Sequence, residues 1–423
     1  MKTLSLFLLI LVATRPALLP AESRAGEWLQ WRGPNRDGRV PSSASWPTRL
    51  DEAHLKLEWR QPLGPSYSGP LITTDRVITT ETIGERSERV SVYDRSNGKL
   101  LWERSWPGAM KVPFFAAKNG SWIRSTPATD GELLFVMGIR DLLVALKLED
   151  GSEVWRYDFS TELDAPLPAF GAACSPLLDG NHVYVQAGSG FCKLDKRSGA
   201  LIWRTAQDQG GMFGSAFSSP VKARIHGADL FLVQAREALH GINPETGDVL
   251  FSHPIKAFRG MNIQTPVTLG DRIFTSSYGG RSQMFRAVTD ASGLRLEEIW
   301  NVKHQGYMTS PVVIDDVIYN HLRNKRLIAL NAKDGVDLWN VSNHFGEYMS
   351  LVANGRQILA LDQQGELFLF NASPDGFRKV DSRKVGDNTW AHVAVAGETV
   401  AIRELDALTV YRWSAPKSAS NAH

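Results

Sequence analysis

The sequence contains very little cysteine and no long apolar segment beyond its first residues. Only two cysteines, Cys174 and Cys192, occur among 423 residues. A disulfide framework is therefore not expected to hold the fold together. After the start of the chain, no stretch reaches the roughly 18 uninterrupted apolar residues of a spanning helix, so no membrane span is expected.

An excess of charge of one sign is also lacking. The formal net charge is +2 at pH 7, and no run of five like charges occurs along the chain. A basic surface that binds phosphate groups is therefore not predicted, and nucleic acid is not an expected partner.

Motifs for metal binding, phosphate binding and nucleophilic catalysis are missing as well. The ten histidines are scattered, and none has a metal-ligand spacing to a second histidine or cysteine. The glycine-rich segment 188–191 precedes a predicted strand instead of a helix, so it lacks the form of a phosphate loop. No G-x-S-x-G nucleophile elbow is present. The sequence predicts no catalytic residue and no metal site.

The chain does begin with a typical secretion signal. Lys2 is followed by an apolar run over residues 4–13, which is too short to span a membrane. Small residues at Ser23 and Ala25 predict cleavage after Ala25. No cysteine lies near this site, so a lipid-anchored form is not expected. We expect a periplasmic or secreted protein with residues 1–25 as its signal peptide.

Tryptophan is abundant, and six of the 13 tryptophans recur at a regular interval. An aromatic row has gaps of 38 to 53 residues between successive members. Its members are Trp59, Trp102, Trp155, Trp203, Phe251, Trp300, Trp339 and a weak Phe377. A second row, mostly Ser-Pro or Thr-Pro, consists of Pro70, Pro127, Pro176, Pro220, Pro266 and Pro311, with Leu351 and Val393 as degenerate members.

The two rows are separated by turn signals, which together predict a β-propeller. Segments such as DRSNGK (94–99) and NPETGD (243–248) supply the glycine, asparagine and aspartate of tight hairpins. Each repeat therefore predicts four short antiparallel strands, the pattern of a propeller blade. Apolar faces of one blade are covered only by its neighbours, so a closed ring is the stable form. We predict an all-β, eight-bladed propeller over residues 55–413, with the aromatic row as structural wedges between blades.

The two ends of the repeat predict how the ring closes. Trp59 has an outer-strand signature but no blade before it, and the last repeat, from Trp390 to Trp413, has room for only three strands. Residues 55–62 are therefore predicted to supply the outer strand of the last blade, which removes exposed sheet edges. Residues 26–54 are predicted to form an N-terminal strap and residues 414–423 a disordered tail.

The strap contains WLQWRGPNRDG (28–38), a segment with no partner in the repeat. We interpret its tryptophans as pins that hold the strap across the ring, with Trp31 contributing most to stability. The alternative is a ligand clamp made by its polar side chains, namely Arg32, Asn35, Arg36 and Asp37.

Single residues inside the repeat have structural interpretations. His392 replaces the Ser or Thr of the inner row and is expected to be a hydrogen-bonded core residue. Cys174 and Cys192 are predicted at the first and third strands of the third blade, too far apart for a disulfide.

These rows resemble the repeats of bacterial quinoprotein-type propellers, the PQQ-like repeat family. The shared pattern L-D-x-x-T-G-x-x-x-W is seen in LDKRSGALIW (194–203) and LNAKDGVDLW (330–339). The resemblance covers residues 55–413. The family includes PQQ-dependent alcohol dehydrogenases and BamB-like assembly factors of the outer membrane, so it implies eight blades but does not by itself select a function.

The resemblance to the PQQ enzymes does not extend to their active site. Those enzymes carry a disulfide between adjacent cysteines, and they hold Ca²⁺ or a lanthanide with carboxylate and amide side chains. This chain has no Cys-Cys pair and no acidic cluster that matches. We therefore expect no PQQ and no other cofactor.

The leading hypothesis is a monomeric, exported, non-catalytic propeller that binds a protein or another component of the cell envelope. The alternatives are a PQQ-dependent dehydrogenase-like or other redox enzyme, and a propeller that processes or senses carbohydrate.

The binding surface is predicted on the face that carries the connections from each outer strand to the next inner strand. The connections after Trp102, Trp155 and Trp203 are long and apolar, and exposed apolar loops usually mark contact sites. In the alternative, phenylalanines of these loops, including Phe170, fold inward and fill the central funnel. The candidate contact residues are Tyr67, Phe114, Phe115, Arg124, Phe213, Phe217, Tyr348 and Trp390, with Met308 also at the funnel mouth and Arg124 as the polar anchor.

Overall fold

The computed structural model describes residues 26–40, 46–208, 216–291, 293–341 and 345–414. The strands form eight four-stranded antiparallel sheets, which confirms the predicted eight-bladed propeller. Residues 1–25, 415–423 and Phe213, on which the signal peptide, most of the predicted tail and one candidate contact depend, lie outside the described residues.

The first four blades follow one another along the chain. Blade 1 contains β2 (Leu71–Ile72), β3 (Arg76–Ile83), β4 (Ser87–Asp94) and β5 (Leu100–Pro107). Blade 2 contains β6 (Ala128–Thr129), β7 (Leu133–Gly138), β8 (Leu142–Lys147) and β9 (Glu153–Asp158). Blade 3 contains β10 (Leu177–Asp179), β11 (His182–Ala187), β12 (Gly190–Asp195) and β13 (Leu201–Thr205). Blade 4 contains β14 (Val221–Ile225), β15 (Ala228–Gln234), β16 (Ala238–Ile242) and β17 (Val249–Pro254).

The last four blades continue the same order. Blade 5 contains β18 (Val267–Leu269), β19 (Arg272–Ser276), β20 (Ser282–Asp290) and β21 (Gly293–Val302). Blade 6 contains β22 (Val312–Ile314), β23 (Val317–His321), β24 (Leu327–Asn331) and β25 (Asp337–Val341). Blade 7 contains β26 (Met349–Asn354), β27 (Gln357–Asp362), β28 (Glu366–Asn371) and β29 (Lys379–Lys384). Blade 8 contains β30 (Ala394–Ala396), β31 (Thr399–Arg403) and β32 (Ala407–Trp413), and it is completed by β1 (Leu55–Pro62).

The ring closes as the sequence predicts. Strand β1 pairs antiparallel with β32, and Trp59 lies opposite Val410 in this pair. The two ends of the chain therefore share one sheet, so that the last blade has an outer strand like the others. Helix is scarce among the described residues: it comprises α1 (Phe159–Glu162) and two 3₁₀ helices, Phe114–Asn119 and Phe258–Gly260. None of these helices is long enough to cross a membrane.

The aromatic row joins each blade to the next through a tryptophan and a glycine. The Trp102 indole N–H donates to the Leu148 carbonyl in the last turn of blade 2 at 3.0 Å. In that turn Gly151 has a φ of +70°, and a Cβ added to it would lie 2.5 Å from the Trp102 ring. The same indole bond to the next blade is made by Trp59 to Arg95, Trp155 to Lys196, Trp203 to Glu245, Trp300 to Ala332 and Trp339 to Ser373.

The Ser/Thr-Pro row forms a chain of hydrogen bonds around the axis. Thr126 Oγ1 accepts the Gly69 N–H of the preceding blade at 2.9 Å. The next four links, made in the same way, are Thr126 to Ser175, Ser175 to Ser219, Ser219 to Thr265 and Thr265 to Ser310. A hydroxyl at this position therefore ties neighbouring inner segments together, which explains its recurrence in the sequence.

His392 occupies the equivalent position of blade 8. Its ring is buried, Nδ1 lies 2.8 Å from the Val393 carbonyl oxygen, and burial lowers its pKa to about 3. The imidazole is therefore neutral at physiological pH. A Cβ at the neighbouring Gly69 would lie 3.0 Å from the His392 carbonyl oxygen, so the small residue fits the closing point of the ring.

Both cysteine thiols are free and buried, which confirms the expectation that they do not form a disulfide. Cys174 precedes β10, and its sulfur accepts the Gln186 N–H at 3.2 Å. Cys192 lies within β12. Burial raises the pKa of the Cys174 thiol to about 11 and also raises that of Cys192, which disfavours the reactive thiolate form of both.

Candidate functional site

The two faces of the ring differ. We call the face that carries the links between blades, such as segments 108–127 and 255–266, the connection face. Inner strands begin at this face and end at the opposite one. The strap pairs with the far ends: Trp28 exchanges backbone hydrogen bonds of 2.7 and 3.0 Å with Ile72, the last residue of β2. Leu29 accepts from Thr129, the last residue of β6, at 2.9 Å.

The strap closes the central channel at the face opposite the connection face. Gly38 and Val40 exchange backbone bonds of 2.7 and 2.9 Å with Ala353 of β26 in blade 7. Arg39 donates to the Val313 carbonyl of blade 6 at 3.0 Å, which lies opposite blade 2 in the ring. Trp28 is only 1% exposed, and its ring stacks on His392 at 6.1 Å. The strap thus contacts the inner segments of blades on both sides of the axis.

Trp31 is half-buried, so its burial does not favour the expectation that it contributes most to the stability of the strap. The guanidinium carbons of Arg32 and Arg36 each lie 5.5 Å from its ring centroid. Trp28, in contrast, packs against protein atoms on the inner wall, and a Cβ at Gly33 would lie 2.8 Å from its ring.

The two strap arginines fill the channel and are used for structure. Arg36 donates to the carbonyl oxygens of Ser175 and Pro176 at 2.9 and 2.7 Å. Arg32 donates to the Pro311 carbonyl on another side of the ring. Burial lowers the pKa of both groups to about 10, so both remain charged at neutral pH. Of the side chains considered for a ligand clamp, these two are therefore held by backbone carbonyls, whereas Asn35 is exposed.

Four candidate residues form a group on the funnel wall at the connection face. The Tyr67 and Trp390 ring centroids are 5.5 Å apart, and Tyr348 stacks on Trp390 at 6.4 Å. The Arg124 guanidinium carbon lies 5.7 Å from the Tyr67 ring centroid. Arg124 also donates to the Gly120 carbonyl at 2.8 Å, and burial lowers its pKa to about 10. It thereby braces the loop that follows the first 3₁₀ helix.

A second group lies further out on the same face. Phe114 is 90% exposed and Phe115 is 46% exposed, both in the first 3₁₀ helix. Phe115 contacts Phe170 at 6.1 Å, and Phe170 contacts Phe217 at 5.8 Å. Because Phe170 is buried, it packs inward while Phe114 and Phe115 face solvent. The sequence left open whether these phenylalanines face solvent or fold inward, and the structure shows both arrangements, in different residues.

Sequence reasoning missed the continuation of this second group. The Arg259 guanidinium lies 5.9 Å from the Phe115 ring centroid and 5.0 Å from that of Phe258. Phe258, which is 45% exposed, lies 5.4 Å from Tyr278. Tyr278 contacts two further side chains, Tyr307 at 5.1 Å and the Arg323 guanidinium at 4.5 Å. The available signal was the apolar and basic sequence IKAFRG (255–260) in a short connection.

We call this set the aromatic–arginine strip. It comprises Phe114, Phe115, Arg259, Phe258, Tyr278, Tyr307 and Arg323. The connection leading into blade 2, the connection leading into blade 5, and the segments around the second turn of blades 5 and 6 all contribute to it. Within the described parts of the chain, no group of three or more His, Cys, Asp or Glu side chains is arranged to hold a metal ion.

The fold agrees with comparisons with known proteins. The family model described as outer membrane protein assembly factor BamB matches residues 86–341, more than half of the chain. The chain belongs to the BamB family. A protein named outer membrane protein assembly factor BamB from Yersinia pestis is 22% identical over 351 residues, which covers 79% of this chain and 82% of that protein.

Solved structures show the same ring. BamB from Moraxella catarrhalis matches with a TM-score of 0.61 at 17% identity, covering 87% of this chain and 99% of that chain. Quinohemoprotein alcohol dehydrogenase from Comamonas testosteroni matches with a TM-score of 0.59 at 11% identity, covering 93% of this chain and 82% of that chain. At such identities the likeness to both structures shows the fold alone.

Proposed function

We propose that this chain is an exported, non-catalytic scaffold of the cell envelope that binds another envelope protein through its connection face. The observation that carries the proposal is Phe114, a phenylalanine that is 90% exposed in a 3₁₀ helix. An aromatic side chain held in water gains about 1.5–3 kcal/mol when a partner buries it. Exposed apolar groups of this kind usually mark contact sites.

The helix that presents Phe114 is braced from below. Arg124 donates to the Gly120 carbonyl, and the Ser121 hydroxyl accepts the Val112 N–H at 3.2 Å. Phe115 rests on the buried Phe170. Contacts of this kind restrict the helix in the unbound chain, so that less conformational entropy is lost on binding. Rigid aromatic anchors are also the residues that dominate binding energies at protein interfaces.

Membership of the BamB family supports a scaffold role over a redox one. The matching family model and the relative from Yersinia pestis carry the name of an assembly factor, whereas the dehydrogenase shares the fold only. The strap supports the same view, because Arg32 and Arg36 fill the axis and donate to backbone carbonyls. Export to the periplasm or beyond, and a monomeric state, remain parts of the proposal.

The proposal is tested by site-specific photocrosslinking in the native host. A photoreactive amino acid is placed at position 114 or 115, and as a matched control at Val336, which is 56% exposed in a turn of the opposite face. We expect one defined protein adduct from positions 114 and 115 and none from 336. Adducts of equal yield at all three positions, or at 336 only, would contradict the proposal. The double substitution Phe114→Ser and Phe115→Ser should remove co-purification of the same protein without lowering the melting temperature.

A further inference from the structure

Positive charge is concentrated on one sector of the connection face, although the whole chain has a net charge of only +2. The connections 255–266 and 303–311 and the turns 277–281 and 322–326 belong to blades 5 and 6. Together they contain seven basic residues and no acidic one, namely Lys256, Arg259, Arg281, Lys303, Arg323, Lys325 and Arg326. Lys325 pairs with Glu347 of the next connection at 3.9 Å, and the remaining excess of basic residues gives the sector a positive charge that attracts anionic groups.

The aromatic–arginine strip runs into this basic sector. Its contacts, from Phe114 through Arg259 and Phe258 to Tyr278 and Arg323, are each between 4.5 and 5.9 Å. Each of the two arginines in this series therefore lies against an aromatic ring, Arg259 against Phe115 and Phe258 and Arg323 against Tyr278.

We propose that the strip binds an acidic, aromatic-containing segment of the partner protein. This inference rests on the proposed scaffold function, because it names the part of the partner that the connection face recognises. Guanidinium groups pair with carboxylates through two parallel hydrogen bonds. The Phe114 ring, which is 90% exposed, offers its edge and face to an aromatic side chain of the segment.

The geometry favours a polypeptide over other anionic ligands. Bases of single-stranded nucleic acid and sugar rings bind by stacking on open aromatic faces. Here guanidinium groups already lie over two of the rings, Arg259 over Phe258 at 5.0 Å and Arg323 over Tyr278 at 4.5 Å. A membrane surface would require exposed apolar side chains along the whole strip, but Tyr278 and Tyr307 are half-buried.

The test uses the full chain and a labelled short peptide in which aspartate alternates with phenylalanine, followed by fluorescence anisotropy. One matched peptide has lysine in place of aspartate, and another has alanine in place of phenylalanine. We expect saturable binding of the first peptide only, weakened by salt. Arg259→Gln and Arg323→Gln should each lower the affinity about tenfold, the loss of one charge-assisted contact. Arg197→Gln, an exposed arginine paired with Glu132 on the opposite face, should leave the affinity unchanged.

Several results would overturn the inference. These are equal binding of the lysine peptide, the same affinity in Arg259→Gln and Arg323→Gln as in the wild type, and displacement of the peptide by oligothymidylate, polygalacturonate or phosphatidylglycerol vesicles. If any of these results is obtained while crosslinking at Phe114 still captures a defined protein, the scaffold proposal stands and only the proposal that the strip binds an acidic segment is wrong. If crosslinking fails while the peptide binds as expected, the scaffold role in the envelope is wrong instead. Melting curves of the variants ensure that only folded protein is compared.

Discussion

A buried carboxyl group in blade 2 provides a sharp test of how neighbouring blades are joined. Asp141 lies in the turn between β7 and β8, is only 4% exposed, and has a positive φ of 56°. Its Oδ2 accepts the Gly188 N–H of blade 3 at 2.8 Å. Burial raises its pKa from the ordinary 3.8 to about 7, and repulsion from Asp158 adds to this effect.

The sign of the pH dependence follows from this raised pKa. Below pH 3.8 the group is protonated in the folded and the unfolded chain, so it has no ionisation cost. As the pH rises towards 7, the unfolded chain loses the proton first, and the free energy of unfolding falls. Above about pH 7 the full cost of ionising Asp141 in the folded protein is present. Each unit by which the pKa is raised corresponds to 1.36 kcal/mol, so this cost is up to about 4 kcal/mol.

The substitution Asp141→Asn removes the ionisation and keeps the contact. The amide oxygen still accepts the Gly188 N–H, and asparagine tolerates a positive φ. We expect the variant to exceed the wild type at pH 8 by up to about 4 kcal/mol in free energy of unfolding, and to match it near pH 4. Urea denaturation with linear extrapolation at both pH values measures the difference.

A control of opposite sign is available in an exposed turn. Asp195 accepts hydrogen bonds from Ser198, which lower the pKa of its carboxyl. Its replacement by asparagine should therefore lower stability slightly at pH 8. An equal difference between Asp141→Asn and the wild type at both pH values, or a loss of stability at pH 8, would refute the reasoning.

Three further predictions concern packing. Trp28→Ala should cost about 3 kcal/mol or more in unfolding free energy, and Trp31→Ala clearly less, because only Trp28 is fully buried; thermal melting of both variants checks the order. Gly151→Ala should lower the urea midpoint more than Gly131→Ala, since both have a positive φ, which costs about 1–2 kcal/mol, but only the first places a Cβ against the Trp102 ring. The two cysteine thiols should react with a thiol reagent only after unfolding, because both are buried and burial raises the pKa of each; rapid reaction in native buffer would contradict this.

The fold could be predicted from the sequence because each recurring residue makes a recurring contact. The Trp102 ring packs against the turn glycine of the next blade, and the Thr126 hydroxyl accepts a backbone N–H of the preceding blade. Both partners belong to the repeat, so the contact and the sequence pattern have the same period. The pairing of β1 with β32 could be predicted for the same reason. Residues 55–62 have the sequence of an outer strand but no blade before them, and the last blade lacks an outer strand.

The strap could not be predicted in the same detail, because it belongs to no repeat. Arginine is normally a surface residue, yet Arg32 and Arg36 are buried in the channel. What allows this is a set of carbonyl oxygens from Ser175, Pro176 and Pro311. These residues are far from the strap in sequence, so only the closed ring shows that they converge on the axis.

The candidate site was found in part, for a related reason. Loop length and apolar composition pointed to Phe114 and Phe115, which are exposed as the binding hypothesis requires. Arg259 and Tyr278 lie in short segments that carry no such signal. They join the same surface only because the connections of blades 2 and 5 meet across the face of the ring.

A ring of eight similar blades offers eight similar positions, so recognition of one partner requires places where the repeat is broken. The described residues contain two 3₁₀ helices, Phe114–Asn119 and Phe258–Gly260, and both interrupt connections on the same face. All three phenylalanines that are exposed among the described residues lie in these helices, and Arg259 contacts the rings of two of them. The strap pairs with the inner strands at the opposite face, whereas on this face the connections of blades 2 and 5 meet through Phe115 and Arg259. The breaks in symmetry thus coincide with the exposed aromatic surface, and this coincidence is the physical reason to place recognition there instead of on the uniform outer rim.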